Sequence, residues 1–430
     1  MRGLQTPVRA IRRQVFTEVA KLGFKANAET LVADMEAIPY EIVGEDSEVK
    51  YRESIYRARA VVRERLRLAM GLSLRPENKP VHLTAGVEAS NISEKYYEPP
   101  LMQVIPSGCE SCEENKYEVS NVCKGCLAHP CQEVCPRGAI SMVNGKSFID
   151  QDKCIKCGKC KSVCPYDAIA KKERPCKKAC GVNAITSDKL GRAYIDADKC
   201  VSCGMCMVSC PFGAISDKSQ IFQLARALSE GEEIVAEVAP AFVGQFGPNI
   251  NVRNFKAALE ELGFSETYEV ALGADIGAIA EAHHYVNKVT TGELPFLLTS
   301  CCPSWAMLAK KFFPDLIDQI SQELTPMVAT ARTIKQEHPN AKVVFIGPCA
   351  AKKLEASRHS VRSDVDFVLT FEETMGLFDA KAVDFKSLEV EEPLQTSSAL
   401  GKGFASSGGV AQAVVKVINE MRPDMEVKTV

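Results

Sequence analysis

The sequence predicts an α/β protein whose second half holds a largely parallel sheet, preceded by a cysteine-rich region and an N-terminal helical segment. Three observations carry this. After Ser216, short apolar runs alternate with helical stretches. Between Cys109 and Cys210 the chain repeats one cysteine pattern four times. The first hundred residues contain no cysteine and have helical composition. The expected organisation is a helical segment at 1–100, a tandem cysteine module at 101–217 and an α/β domain at 218–430.

A chain of 430 residues with net charge −3 has room for two or three domains, and its mixed charge argues against nucleic acid as a partner. Nineteen cysteines in a long chain without a visible signal peptide point to a reducing, cytoplasmic compartment rather than a disulfide scaffold. Arg12-Arg13 is followed by no continuous apolar stretch of the length an export signal needs. No apolar run approaches the ~20 residues of a membrane span.

In the first segment, residues 10–22 and 51–70 read as helices, the second with arginines placed as on a solvated face. Val81 to Gly86 reads as a short strand. No chemistry is visible there, and the segment reads as a packing or docking element.

The cysteine region is more specific. Cys135, Cys164, Cys180 and Cys210 are each followed by a turn and Ala-Ile, and each has a partner four positions earlier, Cys131, Cys160, Cys176 and Cys206. Two runs, Cys154-x-x-Cys157-x-x-Cys160-x-x-x-Cys164-Pro and Cys200-x-x-Cys203-x-x-Cys206-x-x-x-Cys210-Pro, carry the bacterial ferredoxin spacing. Such a loop offers three thiolates to one 4Fe–4S cube, and its fourth cysteine reaches the neighbouring cube. Cys123-x-x-Cys126-x-x-x-x-Cys131 has a longer loop. The Cys176–Cys180 unit lacks a leading pair, which Cys109-x-x-Cys112 is expected to supply from a distance. The connections of 19 and 20 residues, against 12 between the second and third units, pair the units into two two-cluster modules. The crossed-ligand rule then predicts about four cubes. Their ligands would be Cys123, Cys126, Cys131 and Cys164; Cys135, Cys154, Cys157 and Cys160; Cys180, Cys200, Cys203 and Cys206; and Cys109, Cys112, Cys176 and Cys210. Zinc is the alternative for the Cys-x-x-Cys pairs, and other partitions of the second module stay open.

Beyond Ser216, strands are expected at 233–238, 268–272 and near Phe296, Val343 and Phe367. Helices are expected at 252–262, 275–289 and 304–313 and from Glu372 and Gly409. The glycine turns at Gly401 and Gly408 lack phosphate-loop spacing. Two cysteines, Cys301-Cys302, follow the run Phe296–Leu298, and Cys349 follows the strand Lys342–Ile346. Ligands of open parallel sheets sit beyond the carboxyl ends of the strands, so these three thiols should share a crevice.

Thr299-Ser-Cys-Cys-Pro-Ser-Trp305 and Pro348-Cys-Ala-Ala-Lys-Lys-Leu-Glu355 resemble the first two active-site motifs of the FeFe hydrogenases, in their cluster-rich group B form. The resemblance implies a hydrogenase catalytic domain behind two ferredoxin-like modules, interconverting H2 with protons and electrons. Electrons would pass to a ferredoxin or similar carrier, and hydrogenase maturation proteins would be partners. A non-catalytic electron-transfer or hydrogen-sensing protein, or an iron–sulfur assembly factor, is the alternative. The resemblance makes Cys302 and Cys349 ligands of a cube joined to a two-iron unit with CO and cyanide, together the H-cluster. It makes Cys301 a proton-relaying thiol and Lys352 a donor to a cyanide. Ala239 and Pro240 match the apolar lining. Glu281 and Ser321 match relay positions, and His284 stands where the family has a second glutamate. The family's third motif, with two more cysteines, is not reached by Val430. The chain is therefore expected to be a fragment that is inactive alone, with Met425–Val430 as a strand just beginning.

Overall fold

The computed structural model describes residues 6–25, 27–45, 52–94, 99–247, 250–385, 388 and 397–429. Four parallel strands form the central sheet, in spatial order Glu266–Glu269, Ile234–Val238, Lys342–Gly347, Phe367–Thr370. The chain passes from Ile234–Val238 to the edge strand and then returns to the other side of its starting strand. The carboxyl ends of Ile234–Val238 and Lys342–Gly347 thus flank the switch point, where a crevice opens in such sheets. Both strands are buried on both faces and apolar except at Glu237 and Lys342, as parallel strands covered by helices require.

The α/β alternation is present, with local differences. The expected strand at Phe296 is a single bridge between Leu298 and Ile320, and Phe296 is 43% exposed. Three apolar residues without a second paired neighbour do not extend a ladder. The strand expected at 268–272 lies at Glu266–Glu269, and the following helix starts at Ala271 and runs to His284. Residues 81–86 form no strand and turn at 83–86, and 425–429 form no strand, while Val430 lies outside the described residues. A helix that sequence reasoning missed, Leu31–Ile42, accommodates Pro39 inside it.

The N-terminal segment shares the core of the sheet domain. Ile11, Val15, Phe16 and Val19 of the helix Pro7–Lys25 pack in one cluster with Val235, Val344 and Phe378. A side chain at Gly376 would meet the Phe16 Cβ at 2.6 Å, so glycine there sets the approach of this helix to Phe371–Lys381. Arg12 pairs with Glu372 at 2.7 Å. The arginines of the helix Ile55–Ala69 are not a solvated face. Arg65 and Arg67 are 3% and 6% exposed, and they donate to main-chain carbonyls. A guanidinium has five donors and no acceptor, which suits it to carbonyls left bare by loops.

Between these parts lie the cysteine modules, built of two-stranded pieces. Lys116–Val119 pairs with Ile169–Lys172, Ile140–Val143 with Lys146–Ile149, and Ile185–Ser187 with Ala193–Ile195. Met102–Val104 pairs with Ile215–Asp217 and joins the segment before Cys109 to the end of the second module. Among the described residues, no helix is long and apolar enough to cross a membrane.

Candidate active site

Each Cys-x-x-x-Ala-Ile repeat does the same local work. The alanine N–H donates to the cysteine sulfur four residues back, at 3.3 Å for Cys135 and Cys180 and 3.4 Å for Cys164 and Cys210. The isoleucine then starts a strand and is buried. The motif therefore aims a thiolate with an N–H···S bond and anchors it to a small core.

Cys123, Cys126, Cys131 and Cys164 line one void; Cys135, Cys154, Cys157 and Cys160 line another; Cys109, Cys112, Cys176 and Cys210 line a third. Cys206 is pushed up to about 12 by burial and by the nearby thiols of Cys200, Cys203, Cys176 and Cys180. Among the described residues no three His, Cys, Asp or Glu side chains close on a single-ion point. Three of the four predicted sets each ring a void, as the ligands of a cube would. The detached pair is held by arginines. Arg174 donates to the Cys112 carbonyl at 2.9 Å, Arg57 to the Ser107 carbonyl at 2.8 Å and Arg52 to the Gly108 carbonyl at 3.0 Å.

The crevice lies next to the second module. A Cβ at Gly204 would sit 4.0 Å from that of Ala350, the neighbour of Cys349. Lys311, on the helix that Cys301-Cys302 lead into, donates to the Cys200 carbonyl at 2.9 Å. Cys349 follows the strand Lys342–Gly347, and Ala239 follows Ile234–Val238 and donates to the Ile346 carbonyl at 2.9 Å. Pro240 opens the next turn. Trp305 holds the Cys-Cys turn by donating from Nε1 to the Thr299 carbonyl at 3.1 Å. Cys302 is exposed, while burial pushes the thiols of Cys301 and Cys349 up.

Lys352 donates to the Cys301 carbonyl at 3.2 Å and to Glu355 Oε2 at 2.7 Å. Glu355 also accepts from Thr325 Oγ1 at 2.8 Å. An ammonium has three N–H groups, and among the described residues two of those of Lys352 are used, which leaves one for an anion. Glu237, absent from sequence reasoning, is fully buried near Lys352 and Glu355. Burial pushes its carboxyl well above the usual range, and neither oxygen has a partner among the described residues.

On the other side of Cys301, burial raises Glu281 to about 7 against a bond from Ser321, with Glu323 adding to the rise. The Glu281 charge in turn raises Cys301. Ser321 Oγ accepts from the Glu323 N–H at 3.2 Å, and His284 Nδ1 lies 3.5 Å from Glu323 Oε1. His283 faces outward. The structure thus gathers Cys301, Glu281, Ser321 and His284, and adds Glu323, which no spacing in the sequence signals.

Residues 232–430 match the iron-only hydrogenase large subunit, C-terminal domain. Residues 153–214 match the 4Fe-4S dicluster domain, and 123–174 the LdpA Fe-S cluster-binding domain. The chain is an FeFe-hydrogenase-like iron–sulfur protein. Iron hydrogenase 1 of Clostridium pasteurianum is 27% identical over 50% of this chain and 41% of its own length. The NADP-reducing hydrogenase subunit HndD of Solidesulfovibrio fructosivorans is 30% identical over 49% of this chain and 41% of its own. The cytosolic Fe-S cluster assembly factor NAR1 of Kluyveromyces lactis is 30% identical over 34% of this chain and 33% of its own. This hydrogenase-like chain thus spans well under half the length of these relatives.

Proposed function

We propose that the protein interconverts H2 with protons and electrons at the crevice, as a hydrogenase whose residues 101–217 carry electrons and whose residues 218–430 carry the chemistry. The observation behind this is the meeting at one switch point of a buried thiol, a lysine with a spare donor, a carboxyl poised near neutrality and a cysteine loop of the second module. The sixteen module cysteines fit four cubes. In the crevice Cys302 and Cys349 would supply two of the four ligands that a cube needs, so the 430 residues by themselves would not complete the centre, and the bound two-iron unit would supply the metal position where H2 reacts.

The chain's own groups have separable tasks. Burial keeps the Cys301 thiol protonated at neutral pH, so it holds a proton at its sulfur until a nearby base accepts it. Glu281, at about 7, takes and releases a proton with little cost in either direction. Ser321, Glu323 and His284 continue the line outward. The remaining N–H of Lys352 would donate to an anionic ligand such as cyanide. Ala239 and Pro240 wall the crevice with apolar surface. Electrons would cross from the Cys200–Cys206 loop at Gly204 to the Cys349 turn.

The similarity to NAR1 supports a second reading, an iron–sulfur assembly factor that never holds a two-iron unit. Protein purified anaerobically from its own cells separates the two. The hydrogenase reading expects CO and cyanide stretching bands and bleaching of the cubes under H2. Absence of both would leave the assembly reading.

A further inference from the structure

The two ferredoxin loops share one backbone. Cys154-Ile-Lys-Cys-Gly-Lys-Cys160 and Cys200-Val-Ser-Cys-Gly-Met-Cys206 both turn through a left-handed residue, Lys156 at φ 59° and Ser202 at φ 54°. Both then use a glycine, Gly158 at φ 79° and Gly204 at φ 76°. In both, the left-handed residue's N–H donates to the first cysteine's sulfur at 3.4 Å. Their side chains differ. In the second loop Val201, Ser202 and Gly204 are buried, and the loop packs on Ala350 and binds Lys311. In the first loop Ile155 is 57% exposed, and Lys156, Cys157, Lys159, Lys161 and Val163 are exposed as well. One loop is dressed for an interior contact and its twin for an exterior one.

Charge says what kind of exterior contact. Residues 153–166 contain four lysines and no acidic residue. Lys153 pairs with Asp150 at 3.5 Å, whereas no carboxylate pairs with Lys156, Lys159 or Lys161 among the described residues. The stretch 121–180 carries twelve Lys and Arg against five Asp and Glu, in a chain whose net charge is −3. A positive ring around an exposed apolar residue at a redox loop fits a small, transient contact steered by charge.

We propose that the face formed by Lys153–Val163 docks an acidic one-electron carrier protein, with Ile155 at its centre and Lys156, Lys159 and Lys161 around it. This rests on the reading that Cys135, Cys154, Cys157 and Cys160 hold a cube. One electron leaves the reduced carrier and enters that cube; the carrier is oxidised, the cube is reduced, and no bond or proton changes hands. The inner loop serves the crevice and the outer loop serves the carrier.

The test uses the full chain with its cubes loaded and needs no H2. A pre-reduced, acidic two-cluster bacterial ferredoxin is mixed with the protein, and bleaching of the cubes is followed from low salt to about 0.5 M NaCl. The variant Lys156→Glu/Lys159→Glu/Lys161→Glu should lose about tenfold or more of the second-order rate at low salt, and most of its salt dependence. Affinity for the oxidised ferredoxin, measured by calorimetry, should fall in parallel. Reduction by the methyl viologen radical cation should be unchanged or faster. Where the Glu variant fails to load iron, the corresponding triple Gln variant should show the same pattern at smaller scale. Equal ferredoxin rates in wild type and variant, or equal slowing with both reductants, overturns the proposal. So does a variant that loses affinity for a DNA duplex while keeping the ferredoxin rate. Because H2 is absent, failure here leaves the hydrogenase reading standing, and inertness toward H2 leaves this result standing.

Discussion

The cysteine modules and the crevice assemble their chemistry in different ways. In the first module, three of the four cysteines around each void come from one short loop, and in both modules backbone N–H groups set the sulfurs. In the crevice, Ala239, Glu281, Cys301, Ser321, Cys349 and Lys352 are spread over more than a hundred residues of sequence, and burial raises the proton affinities of Glu281, Cys301 and Cys349. Local chemistry of the first kind tolerates movement of the surrounding fold, while the second kind depends on it. The detached pair Cys109-Cys112 belongs to the modules but is held in the second manner, by arginines from distant segments.

The largest effect is expected where the two regions join. Lys353, 2% exposed at its side chain, donates to Asp217 at 2.7 Å, to the Lys218 carbonyl at 2.9 Å and to Glu373 at 2.6 Å. Asp217 ends the last strand of the modules, and Glu373 caps the helix Phe371–Lys381. Lys353→Ala leaves two carboxylates buried without their cation and should cost about 3–5 kcal/mol. Chemical denaturation measures it. Adding Asp217→Asn and Glu373→Gln should recover part of the loss; no recovery would mean that packing, not charge, joins the regions.

Next comes the detached pair. Cys109→Ser with Cys112→Ser should lower the iron content of the reconstituted full chain from about sixteen to about twelve, one cube of four. The three other cubes should keep their spectra. Unchanged iron would show that the pair is no ligand set, and the contrast between local and distant assembly would lose its bridging case.

That contrast also explains what the sequence reveals. The Cys154 and Cys200 runs are readable because ligand, turn and strand anchor lie within one repeat. Cys349 is readable because a thiol at a turn beyond a parallel strand points to the switch point; Cys301 follows no strand, since Phe296–Leu298 is a single bridge, and its place beside Lys352 comes from the fold. Arg65 and Arg67 misled, because a periodic charge pattern looks alike whether it meets water or bare carbonyls. Glu323 and Glu237 gave no signal. Their importance comes from burial and from neighbours on other elements, and neither has a spacing.

A third effect separates crevice from modules by pH. Burial holds Glu281 at about 7, above its ordinary 4.5. Between those values the folded protein keeps a proton that the unfolded chain releases. Its contribution to stability is therefore complete below pH 4.5 and is lost as pH rises through 7, about 3 kcal/mol in all. Glu281→Gln should match wild type near pH 5 and exceed it in thermal stability at pH 8. A parallel pair of stability–pH curves would place the Glu281 carboxyl in water.

The smallest effect concerns the outer end of the proposed proton line, which draws on residues from distant segments. His284 lies 3.5 Å from Glu323, whose N–H donates to the Ser321 hydroxyl and whose charge adds to the rise of Glu281. Imidazole accepts a proton on one nitrogen and releases one from the other, so His284 can hand protons between Glu323 and water. On the proposed hydrogenase reading, His284→Ala should slow the H2 turnover of protein purified from its cells by about tenfold, while exposed His283→Ala stays near wild type. His284→Glu should restore the rate, since a carboxylate at that place performs the same transfer. Glu323→Gln provides a readout independent of turnover: removing its charge should lower the Glu281 carboxyl pKa, seen in the infrared titration of the carboxyl band. If the two histidine variants slow turnover equally and Glu323→Gln leaves the Glu281 titration where it was, protons leave Cys301 by another route.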